Sequence, residues 1–279
     1  MYNDIVKNRV FEFFSNSFLV ECTDAKDVGK VTFASMSSER TIEYRIATRF
    51  TADGNVEKYA LDDSGKPHIL QVLKNEEQMR ARGLKVCESR VVEGALVTDF
   101  VHAESAEKKV LEAGKKGDKE QVYFLLDQLY ENIRKASEIV PEEQNIIYSF
   151  ELDTVANAEK YGEILETGYI DMILRNAFLI DGEYVWFDQE WTLENVPAKY
   201  VLYRALGELY HSFPELQKSM PMEEVAEHYG LLECWDIFKK VEGLFIQTVM
   251  DQKHFIESAQ IRGGDRAACI SNIKKIMNI

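Results

Sequence analysis

An Asp and an Asn five positions apart occur twice in this chain, as Asp127/Asn132 and as Asp171/Asn176. At this spacing a carboxylate can face a hydroxyl while the amide reaches a divalent cation with its oxygen. Twelve positions beyond the Asn, the second pair is followed by a further acid, Asp188, and the first pair by no acid. We therefore place the candidate site of the chain around the second pair.

A hairpin is predicted to bring these groups together. Asp181-Gly182 is a strong tight-turn signal between two apolar pieces, 177–180 and 184–187. Asn176 stands directly before the first predicted strand, and Asp188 directly after the second. Because the two ends of a hairpin lie side by side, their oxygen atoms would surround one point, as magnesium requires. We predict Asn176 and Asp188 as Mg²⁺ ligands.

Upstream, Lys58 lies on a predicted strand, 56–61, and a helix is predicted over 67–82. A strand lysine, an acid on the next helix and an Asp/Asn hairpin are the parts on which kinase-type phosphoryl transfer is built. Lys58 would position the phosphates of ATP, and a helix acid would hold the lysine. Glu76 and Glu77 both continue the side of the helix that faces the sheet, and the pattern does not separate them. Glu77 is the first choice.

The elements around these residues divide the 279 residues into two lobes. Residues 1–101 are predicted as strands with one helix, and residues 102–279 as a mainly helical part. This order predicts an α+β fold with a β-rich N-lobe, a helical C-lobe and the site between them. The segment 99–103 joins the lobes, and we expect its backbone, at Asp99 and Val101, to contact an adenine.

Weaker patterns give three local predictions. Alternating apolar residues predict a strand over 40–50. No regular element is predicted within 141–168. Asn195 is predicted as the N-cap of the helix that follows the hairpin, with a proline in its first turn.

Composition and charge limit the class of partner. The formal net charge is −15 and no basic stripe is present, so nucleic acid is excluded as the main partner. The four cysteines and five histidines are scattered and form no zinc, redox or histidine metal motif. Residues 10–20 are too short and too polar to span a membrane, so a cytoplasmic protein is expected. The basic C-terminal helix predicted over 262–279 resembles a docking or dimer element, or a plain amphipathic closing helix.

Residues 168–191 resemble the catalytic hairpin of protein-kinase-like small-molecule and sugar phosphotransferases, in which the metal-binding acid is followed by x-Glu. Residues 170–206 resemble more closely the kinase-like domain associated with O-antigen chain-terminating methyltransferases of bacterial surface-polysaccharide synthesis. The motifs are Asp171-Met-Ile-Leu-Arg-Asn176, Phe187-Asp188-Gln189-Glu190-Trp191 and Pro197-Ala-Lys-Tyr-Val-Leu-Tyr-Arg-Ala-Leu206.

This resemblance implies a bilobal protein-kinase-like fold, ATP and Mg²⁺ as cofactors, and a hydroxyl of a sugar, a glycan or another small molecule as acceptor. In this scheme Asp171 orients the acceptor hydroxyl and accepts its proton. Glu190 joins Asn176 and Asp188 as a metal ligand. A methyltransferase partner on a separate chain, or a homodimer, is compatible with the resemblance.

The sequence also departs from the family pattern. Residues 34–39 contain no glycine where a glycine-rich phosphate loop is expected, and residues 169–170 are Tyr-Ile where a His normally precedes the acid. These departures favour a first alternative, a catalytically inactive kinase-shaped binding or regulatory module. A second alternative is a structural helical protein in which the Asp/Asn spacing is coincidental.

Arg204, on the helix after the hairpin, is a further candidate. The expected role is a salt bridge to a nearby acid, Glu190 or Glu208. Contact with a negative charge of the acceptor is the alternative.

Overall fold

The computed structural model of the protein describes residues 30–154 and 157–251. The stretch at 10–20 and the predicted basic C-terminal helix lie outside these residues, as do Cys22, His254 and Cys269. In the part of the chain that the structure describes, no helix is long and apolar enough to cross a lipid bilayer.

Within residues 30–101, the N-lobe consists of an antiparallel sheet and one long helix. Its elements are β1 (Val31–Met36), β2 (Ile46–Thr51), β3 (Asn55–Ala60), α1 (Lys66–Ala81), β4 (Lys85–Val86), β5 (Ser89–Val92) and β6 (Ala95–Asp99). The sheet order is β1-β2-β3-β6-β5. Gly54, at a φ of 83°, makes the turn between β2 and β3. Ile69 and Val72 of α1 pack against Ile46 and Leu96 of the sheet, which forms the small core of this lobe.

The strand predicted over 40–50 is shorter than expected. A 3₁₀ helix, Ile42–Tyr44, occupies the middle of the predicted range, and β2 begins at Ile46. Ile42 and Tyr44 of the alternating pattern lie on the loop between β1 and β2, and part of this loop is hydrogen-bonded to the other lobe.

That loop forms a second connection between the lobes, which we call the lobe bridge: residues 39–41 with residues 249–251. The backbone amide of Thr41 donates to the carbonyl of Val249 at 2.9 Å, and the amide of Asp251 donates to the carbonyl of Glu39 at 3.0 Å. Arg45 adds an ion pair to Asp251 at 3.1 Å. The loop is thus held against the C-lobe by backbone and side-chain contacts.

As far as residue 251, the described part of the C-lobe is mainly helical and carries two small sheets. Its elements are α2 (Ala106–Lys116), α3 (Lys119–Lys135), β7 (Ile139–Val140), α4 (Ile146–Ser149), α5 (Ala158–Tyr161), β8 (Ile164–Tyr169), β9 (Ala177–Ile180), β10 (Glu183–Trp186), β11 (Thr192–Pro197), α6 (Ala198–Ser212), α7 (Met222–His228) and α8 (Trp235–Val249). The sheet orders are β4-β10-β9 and β11-β8-β7. The α+β fold with two lobes, predicted from the sequence, is confirmed.

Two predictions near the hairpin are wrong. The range 141–168 contains short helices and the strand β8, which pairs along its length with β11. Asn195 is not a helix N-cap but lies within β11 in the left-handed region, at a φ of 54°. Asn adopts this conformation at lower cost than most residues, because its side chain bonds locally. Helix α6 begins three residues later, at Ala198 after Pro197.

The two lobes share part of their packing. Strand β4 belongs to the N-lobe by sequence position, yet it pairs in parallel with β10 of the C-lobe hairpin. Met79, Leu84 and Val86 are buried in the large hydrophobic core of the C-lobe. The β9–β10 hairpin of the C-lobe therefore pairs directly with the strand that follows α1.

Candidate functional site

The end of the β9–β10 hairpin brings Asn176, Asp188 and Asp171 together, as predicted. The side-chain amide of Asn176 donates to the carbonyl of Asp171 at 3.3 Å and to the carbonyl of Asp188 at 3.5 Å. Asp188 is in the left-handed region, at a φ of 58°. A non-glycine residue in this conformation carries backbone strain of the kind that clusters at functional sites.

Asp171 is buried, with 6% of its surface exposed. Its Oδ2 accepts hydrogen bonds from the backbone amides of Glu190 and Trp191, both at 3.0 Å. Its Oδ1 lies 3.9 Å from Nη2 of Arg204. Burial raises the pKa of Asp171 to about 6, against the positive charge of Arg204, which acts to lower it. The carboxylate is therefore held in one orientation.

Lys58 reaches this site from β3 of the N-lobe. Its Nζ forms ion pairs with Oδ1 of Asp188 and, at 2.7 Å, with Oε1 of Glu190. The lysine side chain is largely buried between the lobes, with 12% of its surface exposed. A strand lysine of one lobe thus binds two acids of the other lobe, although these acids lie 130 and 132 positions further along the chain.

Glu190 lies among basic side chains. In addition to Lys58, its Oε2 binds Nη1 of Arg40 at 2.7 Å, and Nε2 of His68 lies 3.7 Å away. Although burial acts to raise the pKa of Glu190, the charges of Lys58 and Arg40 and the contact with His68 hold that pKa well below its usual range. This carboxylate is ionised and neutralised by its neighbours.

The first choice for the acid that holds Lys58, Glu77, is wrong. Glu77 is exposed on α1, and the ion-pair partners of Lys58 are Asp188 and Glu190. The buried stripe of α1 passes through Val72, Glu76 and Met79, so a residue one step beyond Glu76 turns away from the sheet. Glu76 is the acid that faces the site.

Glu76 itself makes no direct ion pair with Lys58. Burial raises the pKa of its carboxyl, partly opposed by a hydrogen bond from Ser89 and by the charges of Arg80 and Lys58. Its Oε2 is buried without a hydrogen-bond partner among the described residues. Such an atom costs free energy unless a ligand or a water molecule satisfies it.

An apolar cavity of about 310 Å³ lies next to Lys58, between the two lobes. The N-lobe side and the C-lobe side both contribute aromatic and aliphatic residues, and Phe178 stacks on Phe187 with ring centroids 4.5 Å apart. The lining residues are Thr48, Phe50, Val56, Lys58, Val72, Glu76, Cys87, Leu96, Thr98, Asp99, Phe100, Val101, Ala103, Phe178, Phe187 and Asp188. Asp99 and Val101, predicted as nucleotide contacts, both belong to this lining.

The oxygen donors of Asn176 and Asp188 fit a magnesium ion. Mg²⁺ is bound in proteins through one or two carboxylates together with the phosphates of its ligand. Residues 30–154 and 157–251 hold no group of three His, Cys, Asp or Glu side chains that could share a metal ion. Both oxygens of Glu190 already bind cations, so we leave Glu190 out of the metal set.

Sequence reasoning missed three contributors to the site. Arg40 gives no signal, since its partner Glu190 is 150 positions away. His68 and Asn75 belong to the buried stripe of α1, and a polar residue in such a stripe is a detectable signal. Asn75 donates to the carbonyl of Gln189 at 2.9 Å and so fixes the segment that carries Glu190.

Arg204 pairs with neither of the two acids predicted for it, Glu190 and Glu208, but with Glu242.

The chain matches no protein-family model and no curated protein sequence. Solved structures that resemble it include the macrolide 2'-phosphotransferase of Brachybacterium faecium, with 12% identity, 77% of this chain and 86% of that chain covered, and a TM-score of 0.37. The aminoglycoside phosphotransferase of Alicyclobacillus acidocaldarius has 12% identity, covers 94% of this chain and 98% of its own, and gives a TM-score of 0.34.

A further resemblance is to an amicoumacin kinase in complex with AMP-PNP, Ca²⁺ and amicoumacin. The sequence identity between the two chains is 12%. The match covers 86% of this chain and 79% of that chain, with a TM-score of 0.39. In the present chain the five-stranded sheet, its helix, the joining segment and the helical lobe with its hairpin follow one another along the sequence. The described residues thus form an α+β fold with two lobes.

Proposed function

We propose that this protein is an ATP-dependent phosphotransferase that acts on a hydroxyl group of a small molecule or glycan. One observation carries the proposal. A lysine of the N-lobe sheet, Lys58, meets the acid at the end of the C-lobe hairpin, Asp188, at the edge of an apolar cavity that both lobes line. This is the arrangement that holds a base in an apolar slot and a triphosphate among charged groups.

The residues divide the work as follows. The apolar walls, among them Val56 and Phe187, enclose the adenine, and the backbone of 99–103 supplies its hydrogen bonds. Lys58 binds the phosphates once they displace Asp188 from its ammonium group, while its ion pair with Glu190 remains. Asp171 orients the acceptor hydroxyl and accepts its proton. Because the transition state of phosphoryl transfer is loose, positioning and charge neutralisation supply most of the catalysis.

Magnesium, held by Asp188 and Asn176, would neutralise charge on the phosphates. In this proposal the role of Glu190 is to hold the side chain of Lys58 in place. Since Glu190 also binds Arg40, it fixes the lysine from the C-lobe side. In many kinases a helix acid of the N-lobe has that task.

We further propose an acceptor from surface-polysaccharide synthesis, such as a glycan end, and a cytoplasmic location. These details rest on the resemblance of residues 170–206. A methyltransferase partner or a homodimer belongs to the same proposal. The net charge of −15 indicates that the nucleotide is met by local cations, since the overall field repels it.

One observation favours a second candidate, a kinase-shaped module that binds a nucleotide without transfer. Asp171 has little exposed surface, and two backbone amides already occupy its Oδ2. For transfer, Oδ1 alone must receive the hydroxyl proton. The two candidates share a nucleotide site and differ in turnover.

The first test is nucleotide binding followed by transfer. Titration calorimetry with ATP, with and without Mg²⁺, is compared for the parent, Lys58→Met and Lys85→Met. Lys85 forms an exposed ion pair with Glu183, outside the cavity, and serves as the matched control. We expect Lys58→Met to weaken ATP binding by about tenfold or more, because charge-assisted contacts with phosphate are lost, and Lys85→Met to bind as the parent does.

Transfer is then followed with ATP labelled in the γ-phosphate and a panel of saccharide and amino-sugar acceptors. Label in an acceptor, lost in Asp171→Asn while ATP binding is kept, supports the enzyme. ATP binding with no labelled acceptor supports the binding module. Absence of ATP binding with and without Mg²⁺ contradicts both.

A further inference from the structure

Arg204 is a buried arginine beside Asp171 that the nucleotide cavity does not include. It lies on α6, and 13% of its side-chain surface is exposed. Its Nε donates to the carbonyl of Ile170 at 3.0 Å, and its Nη1 forms an ion pair with Oε1 of Glu242. The guanidinium also stacks over Phe245, 5.3 Å from the ring centroid. Four contacts on different sides thus hold this side chain, counting the approach to Asp171.

Glu242, on α8, is as firmly held as the arginine. Its Oε2 accepts a hydrogen bond from the hydroxyl of Tyr200 at 2.8 Å, while its Oε1 binds Arg204. Both carboxylate oxygens therefore have partners from α6. Arginine and carboxylate form a strong charge-assisted pair in such a setting.

The distance between Arg204 and Asp171 is the unusual feature. Nη2 of Arg204 lies 3.9 Å from Oδ1 of Asp171, which is too long for a hydrogen bond. A buried guanidinium beside a carboxylate normally closes to direct contact, since this pairing satisfies both groups. Among the described residues, the pull of Glu242 and of the Ile170 carbonyl opposes that closure.

The same distance leaves one oxygen of Asp171 open. Oδ2 is saturated by the amides of Glu190 and Trp191. Oδ1 makes no hydrogen bond among the described residues, so it is the atom that can receive a hydroxyl proton. A guanidinium in direct contact would occupy it.

We propose that Glu242 is a positioning residue of the transfer reaction: it holds the Arg204 guanidinium away from Oδ1 of Asp171 and keeps that oxygen open for the acceptor hydroxyl. The inference rests on the proposed phosphotransferase function. Glu242 acts through Arg204 and touches neither nucleotide nor acceptor.

Steady-state kinetics of Glu242→Gln test this role. We expect kcat to fall by about tenfold, with the KM for ATP and the calorimetric ATP affinity within about twofold of the parent. Glu163→Gln is the matched control, since Glu163 forms a comparable ion pair with Arg134 elsewhere in the C-lobe. Its kcat should equal that of the parent.

The double variant Glu242→Gln/Arg204→Gln distinguishes the proposed positioning role of Glu242 from a purely structural role of the Arg204–Glu242 pair. If the released guanidinium blocks Oδ1, then removing it restores part of kcat, and the double variant exceeds the single variant by about threefold or more. A double variant no faster than Glu242→Gln, or a single variant with the kcat of the parent, overturns the proposal.

A crystal structure of Glu242→Gln gives a readout that does not depend on turnover. The proposal requires that Nη2 of Arg204 move to hydrogen-bond distance from Oδ1 of Asp171. An unchanged separation overturns it even when the parent is active. A parent without transfer to any acceptor contradicts the proposed function, while the crystallographic result still decides whether Glu242 holds the arginine back.

Discussion

At the scale of single residues, Asp171 shows a conflict between stability and the proposed role. The carboxyl is buried, and burial raises its pKa to about 6, with Arg204 opposing that rise. At neutral pH the protein nevertheless holds it as a carboxylate. A neutral residue of the same shape would avoid this desolvation cost, so the charge is retained at the expense of the folded state.

Asp171→Asn is therefore expected to stabilise the protein near neutral pH while abolishing transfer. The folded-state pKa of Asp171 lies above the unfolded value of 3.8, so ionisation favours the unfolded chain and stability is lost as pH rises from about 4 through 6. This interval corresponds to about 3 kcal/mol at most. The gain of the variant over the parent should grow across the same range and level off above it.

Urea unfolding at several pH values, in the presence of EDTA, measures this difference. Asp181→Asn is the control, because Asp181 is an exposed turn residue of the same hairpin. The gain with rising pH should be larger for Asp171→Asn than for this control. A difference for Asp171→Asn that does not change with pH would show that Asp171 has an ordinary pKa in the folded protein.

At the scale of elements, the pairing of β8 with β11 positions the segment that carries Asp171. Gly168 of β8 lies opposite Leu193 of β11, and a Cβ on this glycine would lie 2.1 Å from Cγ1 of Val196. Asp171 follows three residues later, and its Oδ2 binds the segment that leads into β11. The close approach of the two strands thus depends on a residue without a side chain.

Gly168→Ala should therefore destabilise the protein by more than about 2 kcal/mol, since the added methyl group forces the strands apart. Gly207→Ala is the control of opposite sign. Gly207 lies in the interior of α6, where a Cβ meets no atom within 4 Å, and alanine is favoured over glycine in a helix by about 1 kcal/mol. Chemical unfolding of both variants measures the effect, and equal stabilities would contradict the packing described for Gly168.

The hairpin and α1 could be predicted from the sequence because their signals are local. Asp181-Gly182 marks the turn, and the apolar period of α1 identifies a helix at 66–81. The choice of Glu77 failed because the sequence does not show how α1 is rotated against the sheet. That rotation decides which of the neighbouring residues Glu76 and Glu77 faces the site. Strand β8 was missed since its partner β11 lies about 30 positions away and includes Asn195, which resembles a helix N-cap.

The predicted part of the candidate site is the part that follows from the family resemblance of residues 168–206 and from the spacing of Asp171, Asn176 and Asp188. In the structure, Lys58 and Asn176 each contact Asp188. The contacts of Arg40 with Glu190 and of Arg204 with Glu242 were not predicted. They join side chains 150 and 38 positions apart, and no local pattern encodes such a pairing.

At the scale of the whole molecule, the two lobes are connected in more than one place. The chain crosses at 99–103, β4 pairs with β10, and the lobe bridge joins residues 39–41 to residues 249–251. A hinge with one connection opens freely, whereas each further connection has to break before the lobes separate. The described arrangement is therefore a closed state held from several sides.

Thr41→Pro should loosen this closed state. Thr41 has a φ of −60°, which proline also adopts, and the substitution removes the amide that donates to Val249. Thr41→Ala keeps the amide and is the matched control. We expect faster hydrogen exchange of the amides of 99–103 in the proline variant alone, and identical exchange in both variants would show that the bridge does not restrain the lobes.

The lobe bridge also has a kinetic consequence. A bridge that forms equally in the presence and absence of nucleotide leaves the equilibrium affinity unchanged, since it favours both states by the same amount. It slows association and dissociation by a common factor, because either passage requires that the lobes separate first. The residence time of a ligand between the lobes, rather than the strength of its binding, is then the quantity that residues 39–41 and 249–251 determine.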